Sequence, residues 1–104
     1  MSLKASKGTI SFWVRHDHPD WATNNNGYDF SKTPSSETGV HVESMKNPNK
    51  TVTVIAYDGT GCAVEFTKTM PPVSTKGLFI SLTWDWGKAT LYLNGDSIEE
   101  KLVP

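Results

Sequence analysis

Several short segments of the chain alternate apolar and polar residues with a period of two. In residues 8–15, Ile10, Phe12 and Val14 alternate with polar residues and with Trp13. Successive side chains of a strand point to opposite faces, so this pattern predicts a β-strand with one apolar face. Because Trp13 stands opposite that face, we expect both faces of the strand to be partly covered.

The same alternation, or a β-branched composition, predicts further strands at residues 39–45, 51–57, 62–68 and 97–103. In the last of these, Ile98 and Leu102 are the expected apolar positions. No segment has the period of a helix. Short strands joined by Gly, Pro and Asn turns predict an all-β fold, an antiparallel β-sandwich of about six to seven strands in one domain, residues 1–104.

The clearest pattern is the hairpin at residues 77–96. Its first strand has Leu78, Ile80, Leu82 and Trp84 on one face, and residues 85–87 form the turn. The return strand ends in Asn-Gly, a pair that tolerates the positive φ angles of a tight turn.

Residues 16–38 have a different composition, rich in Asp, Asn, Pro, Ser and Gly. These residues favour turns, and a loop of this length in a compact domain is typically functional or disordered. Three aromatic residues within this loop argue against disorder: Trp21, Tyr28 and Phe30.

Composition excludes some classes of function. Of the 104 residues, 37% are hydrophobic and 20% are charged, and the net charge is −1. This balance argues against binding nucleic acid through clustered basic residues. No apolar run is long enough for membrane insertion, and the N-terminus does not have the pattern of a signal peptide. Cys62 is the only cysteine, and we interpret it as an apolar strand residue.

Two segments resemble a known family. Residues 9–15 (TISFWVR) and residues 78–95, which contain SLTWD and LYLNG, are similar to a strand and a hairpin of the concanavalin A-like lectin/glucanase superfamily. Its laminin-G-like and pentraxin-like members are the most similar. The resemblance implies a jelly-roll sandwich that binds carbohydrate or protein, often with Ca²⁺ at its rim, and it suggests an extracellular protein. Since complete members are longer, we expect this short or partial version to form a homo-oligomer.

Aromatic residues in turn-like surroundings are the candidate ligand-binding residues. Sugars stack on exposed rings, and Asp and Asn side chains bind their hydroxyl groups. The candidates are Trp21, Tyr28, Asp20, Asn24, Asn25 and Trp86. The alternative for Trp21 and Tyr28 is packing, either as a lid on the core or at a subunit interface.

The segment 16–20 concentrates groups that can bind a metal. His16 and His18 suit zinc or nickel, and Asp17 and Asp20 suit calcium. No recognised ligand spacing is matched, so the alternative is a polar loop whose side chains cap their own backbone. We therefore expect no obligatory cofactor, with Ca²⁺ left open.

Catalysis is not expected. The Glu-x-Asp-x-x-Glu strand of the glucanases in this superfamily does not occur, and Glu99 and Glu100 are adjacent, so they point to opposite faces of a strand. We expect a non-catalytic module that binds carbohydrate or another polar ligand through the 16–38 loop. The alternative is a structural or protein-interaction domain that self-associates and has no small ligand.

Overall fold

The computed structural model describes residues 3–30, 39–59 and 63–103, which contain β-strands and no helix. No helix in this part of the chain is therefore long and apolar enough to cross a membrane. Eight strands lie within the described ranges: β1 (Lys7–Val14), β2 (Tyr28–Asp29), β3 (His41–Lys46), β4 (Thr51–Tyr57), β5 (Ala63–Thr69), β6 (Leu78–Asp85), β7 (Lys88–Leu93) and β8 (Asp96–Leu102).

The strands form two four-stranded antiparallel sheets. Sheet A has the order β1-β6-β7-β8, and sheet B has the order β2-β3-β4-β5. The chain therefore passes between the sheets twice, through residues 15–27 and through residues 70–77. The all-β antiparallel prediction is confirmed. The strand that the sequence did not predict is β2, whose two residues pair with the end of β3.

One hydrophobic core lies between the two sheets. Burial alternates strictly along β6, where Leu78, Ile80, Leu82 and Trp84 are buried and the residues between them face outward. Val42 of β3, Val54 of β4 and Phe66 of β5 are buried in the same cluster from sheet B. Each sheet thus covers the apolar face of the other, a sandwich-like architecture.

Ile98 and Leu102, the expected apolar positions of the last strand, do not face the core. Ile98 is 38% exposed and Leu102 is 80% exposed. The cause is an irregularity in the pairing of β7 with β8, where Tyr92 pairs with Ser97 but Leu91 pairs with Glu99. One additional residue reverses the faces of the rest of the strand.

The outward face of β1 also differs from the prediction, because Trp13 is 53% exposed. Trp13 therefore lies on an open face of sheet A, where its ring packs on Phe79 and about half of it stays exposed. Cys62 and residues 31–38 of the predicted loop lie outside the described residues.

Candidate binding site

Three cavities border residues 70–77, here called the 70–77 connection. The largest of them, about 550 Å³, lies between the connection and residues 15–23; we call it the cleft. A second, about 370 Å³, lies between the connection and the outward face of sheet A; we call it the groove. The third, about 440 Å³, is lined by residues 69–73 with Ala22, Thr23 and Lys50. These three cavities therefore lie at the end of the sandwich where both inter-sheet connections run.

The sequence explains why the chain bends at this point. Pro71 and Pro72 lack the N–H groups that a central strand needs. The connection then turns back on itself, with the Gly77 N–H donating to the Ser74 carbonyl oxygen at 3.0 Å. Gly77 has φ +103°, and a Cβ there would lie 2.3 Å from the Val14 carbonyl oxygen. Only glycine fits where the connection passes the end of β1.

The 15–23 side of the cleft is a compact turn. Backbone N–H groups of Thr23 and Asn24 both donate to the Asp20 carbonyl oxygen at 3.0 Å. Arg15 Nη1 donates to the Thr75 carbonyl oxygen at 3.2 Å, which ties this turn to the 70–77 connection. The cleft therefore has two walls that contact each other directly.

The structure places Trp21 in the core. Its side chain is 6% exposed, and its ring meets the Phe30 ring edge-on at 5.4 Å. It lines the base of the cleft and is not an exposed stacking surface. This placement corresponds to the alternative interpretation, in which the ring folds back on the core.

Asn24 connects two of the other predicted residues, Tyr28 and Asp20. Its Nδ2 donates to Tyr28 Oη at 2.7 Å and to Asp20 Oδ1 at 3.4 Å. Its Oδ1 accepts from the Asn26 N–H at 2.9 Å and from Lys46 Nζ at 3.3 Å. Asn24 and the half-buried Tyr28 are thus bonded inside the loop, while Asn25 is exposed.

Lys46 of β3 holds this loop in place, a role that the sequence did not indicate. It is 1% exposed, and its ammonium group donates to the carbonyl oxygens of Asn24 at 2.5 Å and of Asn26 at 2.8 Å. The Tyr28 ring lies 5.4 Å from the same group. A buried charge requires such partners, so Lys46 fastens the loop to sheet B.

The candidate metal ligands of segment 16–20 do not converge. His16 Nδ1 accepts from the His18 backbone N–H at 3.0 Å, and the His16 ring packs on Tyr28 at 4.1 Å. His18 Nδ1 contacts Asp20 Oδ1 instead. In the described residues no group of three or more His, Cys, Asp or Glu side chains is arranged to hold a metal ion. Asp17 lines the cleft.

Trp13 and Phe79 form the exposed aromatic surface of the site. The two rings pack at 4.9 Å and line the groove with Asn94 and Ser74. Asn94 is fixed in place, since its Oδ1 accepts from the Phe79 N–H at 3.1 Å and its Nδ2 donates to the Pro72 carbonyl oxygen at 2.8 Å. This surface had a signal in the sequence, because β1 and β6 each carry an aromatic residue among the polar residues of one face.

Trp86 lies apart from the other candidates. It is 67% exposed and sits at the turn between β6 and β7. Trp13 pairs with Phe79 at one end of β6, whereas Trp86 follows Asp85 at the other end.

Comparison with protein-family models, with curated proteins and with solved structures finds no match.

Proposed function

We propose that this chain is a non-catalytic module that binds carbohydrate through the groove and the adjoining cleft. The observation that carries the proposal is Trp13, a half-exposed ring that packs on Phe79 at the groove. A large ring left open beside polar side chains suits a ligand that has both an apolar face and hydroxyl groups. Sugars have this combination.

The polar part of the site supports the same ligand class. Ser74 lines both the cleft and the groove. Other polar side chains that line the cleft include Arg15, His16, Asp17, His18, Asp20 and Thr23. These side chains supply hydrogen-bond donors and acceptors to a ligand that extends from Trp13 past Ser74 into the cleft. The relevant part of the long loop is thus residues 16–23.

The fold family belongs to the same proposal. Two four-stranded antiparallel sheets around one core, with Trp84 inside and Asn94-Gly95 at a turn, support a concanavalin A-like jelly roll. The non-catalytic part of the proposal rests on the sequence, where the carboxylate strand of the glucanases does not occur.

A glycan array followed by calorimetry tests the proposal. We expect retention of at least one class of glycan and loss of that binding in Trp13→Ala, with equal binding in EDTA and in added calcium. Glu65→Gln, an exposed change on sheet B, is the matched control. Trp21→Ala is unsuitable because it would open the core. The proposal would be contradicted if the protein retained no glycan on the array, or if folded Trp13→Ala bound the glycan as tightly as the wild type.

A second candidate is self-association without a small ligand. It is favoured by the exposure of Ile98 and Leu102 on β8, an edge strand of sheet A. Light scattering would then give twice the 11.5 kDa mass of the chain, and Leu102→Glu would restore a monomer. A monomeric wild-type chain at micromolar concentration would contradict this candidate.

A further inference from the structure

The outward face of sheet A carries rows of hydroxyl side chains between Trp13 and the turn from β6 to β7 that holds Trp86. Strand pairing aligns Ser11 with Ser81 and Tyr92 in one row. The next row consists of Thr9, Thr83 and Thr90. The Ser11 and Ser81 hydroxyls are hydrogen-bonded to each other at 2.7 Å. Threonine favours strands by itself, so this surface is distinguished by the exposed Trp13 near one end of β6 and the exposed Trp86 in the turn beyond the other end.

The face has no net charge. Its charged side chains in the described residues are two lysines, one aspartate and one glutamate, all towards the Trp86 end: Lys7, Asp85, Lys88 and Glu100. Lys88 Nζ and Glu100 Oε1 form an ion pair at 2.9 Å. A hydroxyl-rich surface without net charge suits a neutral ligand that also carries hydroxyl groups.

Trp86 occupies a backbone conformation that is unfavourable for it. Its φ is +51°, and Gly87 follows with φ +97°, so both residues of the turn are left-handed. Such turns favour Asn-Gly, and a bulky residue there is an outlier. Strain of this kind is characteristic of functional positions. The strain and the exposed ring together make Trp86 a candidate binding position.

We infer that the ligand is an extended neutral polysaccharide that lies along β6 from Trp13 to Trp86. The inference rests on the proposed carbohydrate function and specifies its substrate class. The six steps from Phe79 to Asp85 span about 20 Å at roughly 3.3 Å per residue. A single terminal sugar does not cover this distance, whereas several linked sugars do.

A length series of oligosaccharides tests the inference. The probes are cello-, xylo-, manno- and laminari-oligosaccharides from disaccharide to hexasaccharide, titrated by calorimetry. For the series that binds, we expect affinity to rise by at least about tenfold, or 1.4 kcal/mol, between the disaccharide and the hexasaccharide. We expect the affinity to be the same in low and high salt, because the ligand and the face lack net charge.

Three variants locate the path of the ligand. Trp13→Ala should weaken the binding of oligosaccharides of every length. Thr83→Val should weaken the binding of only the longer ones. Trp86→Asn should lower hexasaccharide affinity about tenfold and leave disaccharide affinity unchanged. Asn tolerates a positive φ, so the same variant should melt at a higher temperature than the wild type. Loss of binding in a stabilised protein cannot be attributed to misfolding.

The two proposals fail in different ways. If no oligosaccharide or glycan binds, the carbohydrate function itself is wrong. If glycans bind with an affinity independent of length, or if Trp86→Asn binds the hexasaccharide as the wild type does, the extended path is wrong and the site is confined to the groove and cleft. An affinity that falls steeply with salt would indicate an acidic ligand and would also overturn the inference.

Discussion

At the scale of single residues, the packing of Trp84 depends on a glycine in the neighbouring strand. Trp84 is 1% exposed, and its Nε1 donates to Ser6 Oγ at 3.0 Å. Gly8 lies directly opposite it in β1. A Cβ on Gly8 would come within 2.3 Å of Trp84 Cζ2, so the ring occupies the space that any other residue at this position would fill.

We therefore expect Gly8→Ala to destabilise the protein by about 1–3 kcal/mol, the usual cost of overpacking a core. Urea unfolding measures the change. Thr9→Ala, the neighbouring exposed position, is the control and should cost far less. Trp84→Phe added to Gly8→Ala should recover part of the loss, and a double variant no better than the sum of the two single changes would show that the ring is not the obstacle.

At the scale of elements, the loop before β2 is held by the side chain of Lys46 from β3. Its ammonium group fills a cage of loop carbonyl oxygens. Removing it leaves those partly buried oxygens without this donor, at a cost of about 1 kcal/mol. We expect Lys46→Met to lower the free energy of unfolding by about 1 kcal/mol and to speed hydrogen exchange in residues 24–27.

Lys50→Met is the matched control for this loop, because Lys50 is exposed and follows the same strand. It should leave both the stability and the exchange of residues 24–27 unchanged. Equal exchange rates in Lys46→Met and the wild type would mean that the loop holds its shape without the ammonium group.

Local alternation was sufficient to predict most of the strands. The hairpin of β6 and β7 follows the apolar pattern directly, because every second side chain enters one core. β8 did not follow it, because the irregular pairing near Tyr92 depends on two strands together. β2 was missed for a similar reason, since two residues carry no period and the strand exists only through its pairing with β3.

The candidate site was harder to predict than the strands. Alternation indicates that Trp13 and the apolar stripe of β1 lie on opposite faces, but the position of sheet B decides which face is covered. Trp21 lies among turn-forming residues, and yet the loop folds it into the core. The composition of a loop thus describes its backbone and does not determine which side chains remain exposed.

At the scale of the whole molecule, charged side chains of β5 and β8 join the two sheets along one side of the sandwich. Lys68 Nζ and Glu99 Oε1 form an ion pair at 2.9 Å, and Lys101 Nζ donates to the Glu65 carbonyl oxygen at 2.6 Å. The Lys101 ammonium group also lies 5.3 Å from the Phe66 ring. β5 and β8 are edge strands of their sheets, so these contacts close one side of the sandwich.

These contacts predict how stability depends on pH. The hydrogen bond from Lys68, with the nearby charges of Lys68 and Lys101, lowers the pKa of Glu99 below its ordinary value. The folded state therefore favours the ionised carboxylate. Its contribution to stability is present above the range where an ordinary glutamate titrates and is lost as the pH falls through the lowered pKa. We expect the urea midpoint of unfolding to be higher for the wild type than for Glu99→Gln at neutral pH. The difference should shrink in acid.

A double-mutant cycle with Lys68→Met separates this pair from its surroundings. Coupling between the two positions should be measurable at neutral pH and should disappear in acid, because protonated Glu99 no longer attracts the ammonium group. High salt should reduce the coupling at neutral pH, since both side chains are partly exposed. Coupling that is constant with pH would mean that the two side chains stabilise the closed edge through their apolar stems and not through their charges.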